Sequence, residues 1–456
     1  MCLAVALFVM AYRPFGLDAS AHMVLGVVIA VLGIWIFKPF GLSYSAGSVL
    51  LVSLGMAFGL GPEVVFSGFA QPAAWVLISA LLFGYTLQKT GLGRRLALGI
   101  IRCIRPSYTS LVLAIVAVGV VLSILTPSVT VRVAIIVPIA MQCCELCGLR
   151  RGSRGGGLVV LTAFAMSMIP GSGWFTGTLW GPIISGMVNA VPPNQGLVNF
   201  DSWLSVMFLP MAVITLVLVG ISLVVFRPDD TLSQEAIESI KNQQLQRISG
   251  EEALAAVVLT GAFGMMLLGG LHGLPDASIT LGAVFVLFLS RILGTKDLNA
   301  GVNWDLVIFI ATTLSLGSIF EVAGISPWLS ELVLPAIAPL AANPWLFAYS
   351  VLGVMFVWRF VDIALFVPTM AVIVPILPAI QNAHGISPLV WVALFVMAGN
   401  SFLVPYQNMW AVLSRSLAGD WMQEGPLCVY GVLYGLACIV ALGVAVPLWI
   451  SMGLFG

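Results

Sequence analysis

Ser128 and Thr130 follow Thr126-Pro127 inside a long apolar run. Proline removes an amide donor and interrupts the helical ladder, so carbonyls and amides around it lose their partners. Those carbonyls, with the Ser128 and Thr130 hydroxyls, are suitable oxygen ligands for a small cation. The hydroxyls and the amide-rich start of a resuming helix equally suit an oxyanion. Arg132 adds a positive charge beside the break. An arginine at membrane depth is costly enough to read as an anion partner, and a snorkelling or acid-paired structural arginine is the plainer alternative. A second break, Leu365-Phe366-Val367-Pro368-Thr369, aligns Thr369 with Arg132. Just before it, Arg359 and Asp362 stand i,i+3, which suits a mutual ion pair or, more sharply, a proton carrier at Asp362.

Two further stretches supply walls for the same site. Gly171-Ser172-Gly173 follows Pro170, with Thr176, Gly177 and Thr178 beyond, and Gln407-Asn408 follows Pro405. Glycines let backbone approach a solute, and the amides both donate and accept. The candidate substrate set is therefore Ser128, Thr130, Arg132, Gly171, Ser172, Gly173, Pro368, Thr369, Gln407 and Asn408. Ser128, Thr130 and Gly173 are the candidate sodium ligands, and Asp362 is the candidate proton carrier.

These residues need a scaffold in lipid. Of 456 residues, 60% are apolar and 8% charged, whereas a soluble domain carries about a quarter charged. Ala73 to Leu87, Leu111 to Leu125, Leu204 to Phe226, Ala253 to Leu271, Ile279 to Ile292 and Cys428 to Ile450 read as the cores of membrane spans. With the Gly- and Pro-broken stretches, ten or eleven membrane segments are expected in an all-α, multi-pass integral membrane protein. The run Met1 to Ala11 is too short to span before Arg13, so a truncated first helix is expected.

The segments repeat. Phe83 to Leu96 lies on Leu316 to Leu329, pairing Gly84 with Gly317 and Gly91 with Gly324. Ala134 to Ile139 lies on Ala371 to Ile376, and Met166 to Gly173 on Ser401 to Asn408. The blocks keep one order and a nearly constant separation, which shared composition alone does not produce. Similar Pro-interrupted segments in two halves of a membrane protein point to a transporter's binding site. Lys89, Arg94, Arg95, Arg102 and Arg105 cluster in the first half, as do Arg150, Arg151 and Arg154, which predicts cytoplasmic loops. The corresponding stretch Ile325 to Leu334 has no Lys or Arg, as inversion of the repeat predicts. The expected divisions are residues 1–45, N-terminal segments; 46–226, first repeat; 227–252, a polar linker with a short helix; and 253–456, second repeat. Two inverted repeats with paired re-entrant hairpins are the predicted architecture.

Other classes fit less well. A net charge of zero gives no sign of nucleic-acid binding. Cys143, Cys144 and Cys147 stand without a second pair or a nearby histidine and read as helix packing. The three histidines sit near segment ends. No Ser/His/Asp set, metal cluster or phosphate loop supports a membrane-embedded enzyme, and no cofactor is expected. A channel is the other remote alternative, separated from a carrier by saturable counterflow.

SGFAQPAAWVLISALLFGYTLQKTGLGRRLA, NWDLVIFIATTLSLGSIFEVAGISPWL and the two broken segments together resemble the divalent anion/sodium symporter family, within the ion transporter superfamily. The resemblance covers most of the chain from about Gly16. It implies an inverted repeat, two re-entrant hairpins, a homodimer and elevator-type movement. It also implies sodium-coupled uptake of a dicarboxylate, citrate or sulfate. Family members carry a Ser-Asn-Thr tip in each hairpin, which helps hold sodium and the substrate carboxylate. The first tip matches at Ser128 and Thr130, with Val129 in place of Asn. The second, at Leu365, Phe366 and Val367, matches at no position, and Gly177-Thr178-Leu179-Trp180-Gly181 replaces a Gly-Thr-Pro-Pro-Asn-like turn. The expected function is a cation-coupled permease for a small anion in a bacterial inner (plasma) membrane. A proton-coupled or exchange permease is the alternative.

Overall fold

The structure, a computed structural model, describes residues 2–12, 17, 21–103, 107–228, 247–363 and 366–456. Arg13, Arg105, Leu365 and the central 229–246 of the expected linker, with its short helix, lie outside the described residues. Among the described residues every regular element is a helix and there is no strand. Among the described residues, seven helices are long and apolar enough to cross a membrane, and seven shorter apolar helices of 10–17 residues accompany them. The protein is a multi-pass integral membrane protein, and each apolar core read from the sequence lies within or largely within a helix.

Helix order recurs along the chain. The first series runs Pro72–Lys89, Leu92–Ile101, Tyr108–Leu125, Val129–Leu146, Arg154–Met166, a 3-10 turn Pro170–Gly173, Trp180–Asn189 and Phe200–Val225. The second runs Trp304–Leu314 with Leu316–Val322, Ile325–Ala341, Pro344–Trp358, Val367–Ile373 continuing to His384, Pro388–Gly399, the turn Pro405–Gln407, Met409–Ala418 and Glu424–Ser451. The two glycines paired in the sequence, Gly91 and Gly324, both take the left-handed conformation (φ 79° and 70°) and turn the chain into equivalent helices. Only glycine adopts that conformation without a steric cost.

Arg154–Met166, from Gly155 onward, and Pro388–Gly399, throughout, are buried. A helix apolar on all sides belongs inside a bundle, because no face is suited to water. The long helices Phe200–Val225 and Glu424–Ser451 pack lengthwise against each other beside this central pair. Close contact here depends on missing side chains. A β-carbon on Gly119 would lie 2.5 Å from the carbonyl oxygen of Met166, and one on Gly399 would lie 2.6 Å from the Trp180 ring. Cys143, Cys144 and Cys147 are buried, free thiols that fill this packing.

Polar contacts tie the halves together at the ends of the bundle. Lys89 pairs with Asp297 at 2.7 Å, Tyr85 donates to the same carboxylate at 2.9 Å, and Arg95 pairs with Glu252 at 2.9 Å. Two members of the first basic cluster therefore meet acids from the second half of the chain.

Gly119→Val is expected to force Tyr108–Leu125 away from the central helix and destabilise the protein by about 2 kcal/mol, as overpacking does. Thermal unfolding in detergent measures it, and an unchanged midpoint contradicts this packing.

Candidate substrate site

The first break has the anatomy of one helix ending and another starting. Tyr108–Leu125 ends at Thr126, which is extended (φ −149°, ψ 130°). Ser128 then caps the next helix, its hydroxyl accepting from the Val131 amide at 3.3 Å, while the Ser128 amide donates to the Thr126 hydroxyl at 3.2 Å. Gly84 of Pro72–Lys89 makes room for this tip: a β-carbon there would lie 2.6 Å from the Ser128 β-carbon. Ser128 is buried and engaged in capping, and Thr130 is exposed.

Arg132 is completely buried. Its Nε donates to the Ser167 carbonyl at 2.7 Å, and Nη1 donates to the Thr126 carbonyl. Both oxygens were freed by a helix end, one at the hairpin break and one where Arg154–Met166 unwinds. The remaining nitrogen, Nη2, has no partner and points at Gly171, where a β-carbon would lie 2.7 Å from it.

Arg359 does the same in the second half. It is 1% exposed, and its two terminal nitrogens donate to the carbonyls of Asp362, in the hairpin break, and Gln407, in the unwound stretch after Pro388–Gly399. This changes the reading of Arg359 and Asp362 as partners through their charges. The guanidinium goes to the Asp362 backbone, because a buried guanidinium with five donors and a carbonyl without a helix satisfy each other. The Asp362 carboxylate instead accepts from the Thr369 amide at 3.0 Å and the Thr369 hydroxyl at 2.5 Å. Trp358 donates to that hydroxyl at 2.8 Å.

The central breaks meet each other. Asn400 donates to the Ser172 hydroxyl at 2.8 Å and accepts from the Trp180 indole at 3.0 Å. Asn408 caps Met409–Ala418, accepting from the Trp410 and Ala411 amides, and donates to the Met168 sulfur at 3.3 Å. Gly171 and Gly177 lie so close that a β-carbon on either would collide with the other's carbonyl oxygen. Gln407 is buried; its side-chain oxygen accepts from Val404 at 3.1 Å, and its amide nitrogen has no partner. Gly173 packs on Met211, where a β-carbon would lie 3.3 Å from the Met211 β-carbon.

Two hollows adjoin the breaks. Pro127 and Thr176 line a chamber of about 20 Å³, room for a water molecule. Pro368 and Thr369 line a different, apolar cavity of about 500 Å³ with Trp358 and Ile337. The guanidinium groups occupy the positions between the freed carbonyls, which explains how the breaks stay closed. Of the candidates, Arg132, Ser172, Gln407 and Asn408 are buried at these breaks, where Ser167, Asn400, Trp180 and Trp358, not among the candidates, join them. Their signal was faint: each lies at or next to the end of an apolar helix that the sequence leaves unmarked.

Residues 1–452 match the family described as sodium:sulfate symporter transmembrane region. The chain belongs to this family. It is a membrane transport family and not an enzyme family. Among its relatives is chloroplastic dicarboxylate transporter 1 of Spinacia oleracea, 24% identical over 322 residues, 68% of this chain and 56% of that protein. The chain thus spans about half the length of that relative. The L-tartrate/succinate antiporter of Escherichia coli K12 is 22% identical over 398 residues, covering 85% of this chain and 80% of the relative. In fold, the chain resembles the Alcanivorax borkumensis YdaH transporter (TM-score 0.58, 14% identity, 96% and 100% covered). It also resembles Neisseria gonorrhoeae MtrF (TM-score 0.59, 15% identity, 98% and 97% covered).

Arg132→Ala strips two buried carbonyls of their donors and is expected to cost about 3 kcal/mol, since hydrogen bonds to charged groups are worth about 1.5–3 kcal/mol each. Differential scanning fluorimetry of the purified variant reads the loss, and a melting point within a degree of the native protein's contradicts the assignment.

Proposed function

We propose that this protein carries a small dicarboxylate-type anion across the membrane by exchanging it for another, with Arg132 and Arg359 as fixed charges. The observation that carries the reading is the placement of both guanidinium groups on carbonyls freed by broken helices. In transporters, such unwound carbonyls coordinate the coupling cation while helix N-termini face the anion. Here a side chain already fills that role in each half.

Two consequences follow from charge. The Asp362 carboxylate stands beside Arg359 and offsets it, so a dianion crosses with half of its charge offset by Arg132. Without an anion, Arg132 is an uncompensated positive charge, which is costly in a low-dielectric medium and opposed by the field at about 2.3 kcal/mol per charge per 100 mV in one direction. The empty form therefore stays in place and exchange is favoured over net uptake. The names of the relatives, a dicarboxylate transporter and an L-tartrate/succinate antiporter, support this substrate class. Inverted repeats, a homodimer and elevator-type movement of the central helices against Pro72–Lys89 and its neighbours complete the proposal.

Cation-coupled uptake is the second reading, and for protons Asp362 favours it. Its buried carboxylate holds Thr369 at the second tip, and protonation would release that hold. Sodium is the coupling ion implied by the family, and a site for it would have to open beside Ser128.

Counterflow in proteoliposomes decides among these. Labelled succinate is expected to enter only vesicles preloaded with a dicarboxylate, at a rate unchanged when sodium is replaced by choline. Entry into empty vesicles driven by a sodium gradient contradicts exchange, and entry driven by a proton gradient and lost in Asp362→Asn selects the proton-coupled form.

A further inference from the structure

A cavity of about 590 Å³ opens between Pro72–Lys89, Trp180–Asn189 and the loop before Asp276–Leu289. Its size lies within the range of small-molecule pockets, about 300–1,000 Å³. It leads toward the first break: Met266 lines both this cavity and the 20 Å³ chamber beside Pro127. The two walls also continue through adjacent residues, Phe175 in the larger cavity and Thr176 in the chamber. Met266, Phe175 and Thr176 thus stand between the larger cavity and the Pro127 break.

The walls of this vestibule carry an unexpected charge for an anion carrier. Among the described residues that line it, the charged ones are Asp201, in the first turn of Phe200–Val225, and Asp276, in the first turn of Asp276–Leu289. The remaining polar lining, including Gln71, Asn189 and Asn199, is neutral. Burial and the nearby Asp201 charge raise the Asp276 carboxyl to about 6, and His272 pulls it the other way. A carboxylate held up in this way loses its charge as pH falls through that value.

We propose that the vestibule is the anion's entrance on one face of the membrane and that the Asp201–Asp276 pair gates it, repelling a dianion when both are ionised and admitting it when Asp276 is protonated. Charged walls around a narrow entrance change the local concentration and arrival rate of a charged solute by an order of magnitude or more. The gate acts on entry and leaves the fixed arginine charges untouched. It rests on the carrier reading only in its effect on flux, because the charge of the vestibule can be read without transport.

The first arm places a thiol in the vestibule with Ala190→Cys, in a Cys103→Ser background that removes the exposed native thiol. Cationic and anionic methanethiosulfonates of similar size are then compared, so that thiol ionisation cancels in their rate ratio. At pH 7.5 the cationic reagent is expected to be favoured about twentyfold, each of the two carboxylates at roughly 10 Å contributing about four- to fivefold. The preference should fall to about fivefold, the share left by Asp201, on acidification through pH 6 and stay near that value in Asp276→Asn. A ratio indifferent to pH, or unchanged by Asp276→Asn, overturns the proposal. The second arm follows succinate counterflow. Asp276→Asn should outrun the native protein at pH 7.5 and converge with it at pH 5.5, a comparison in which succinate's own protonation cancels. Parallel pH profiles with the labelling effect intact overturn the gate. Flux absent in both proteins overturns the carrier reading instead, and the labelling arm still decides the vestibule's charge.

Discussion

A carbonyl released from its helix inside a membrane has no water to turn to, and satisfying it is the constraint on which this structure depends. The chain interrupts four membrane helices, at Thr126, after Met166, near Asp362 and after Gly399. Two arginines answer it, each joining the carbonyl at a hairpin break to the carbonyl of an unwound stretch in the same half. A guanidinium suits the task because its donors form a rigid planar fork and it remains charged. The breaks are then held by side chains.

The packing follows from that arrangement. Breaks held close to the centre must be enclosed, so Arg154–Met166 and Pro388–Gly399 are apolar on every side. Backbone must pass close to backbone where the unwound stretches cross, so Gly171 and Gly177 stand where no β-carbon fits. The crossing is fixed by Asn400 between Ser172 and Trp180. A buried amide with both its donor and its acceptor engaged specifies one register of the two halves.

The outline of the fold was legible because lipid imposes simple rules. Long apolar runs gave the spans, and Pro127, Pro170, Pro368 and Pro405 marked the interruptions, since proline cannot continue the ladder. The site was half legible. Arg132 and Arg359 stand out as charges in apolar surroundings, but their partners are backbone carbonyls, which no residue type advertises. That is why Arg359 and Asp362 read as an ion pair when the guanidinium in fact holds the Asp362 main chain. Asn400 and Trp180 were invisible for another reason: their bond spans 220 residues, and each looks ordinary in its own segment.

The central claim is that fixed arginine charges stand in for a coupling cation. Calorimetric titration of the purified native protein with succinate, in sodium and then in choline buffer at equal ionic strength, tests it most directly. Equal affinity in the two buffers is the predicted result. Binding that appears only with sodium, or tightens tenfold or more as sodium is raised, would contradict the account.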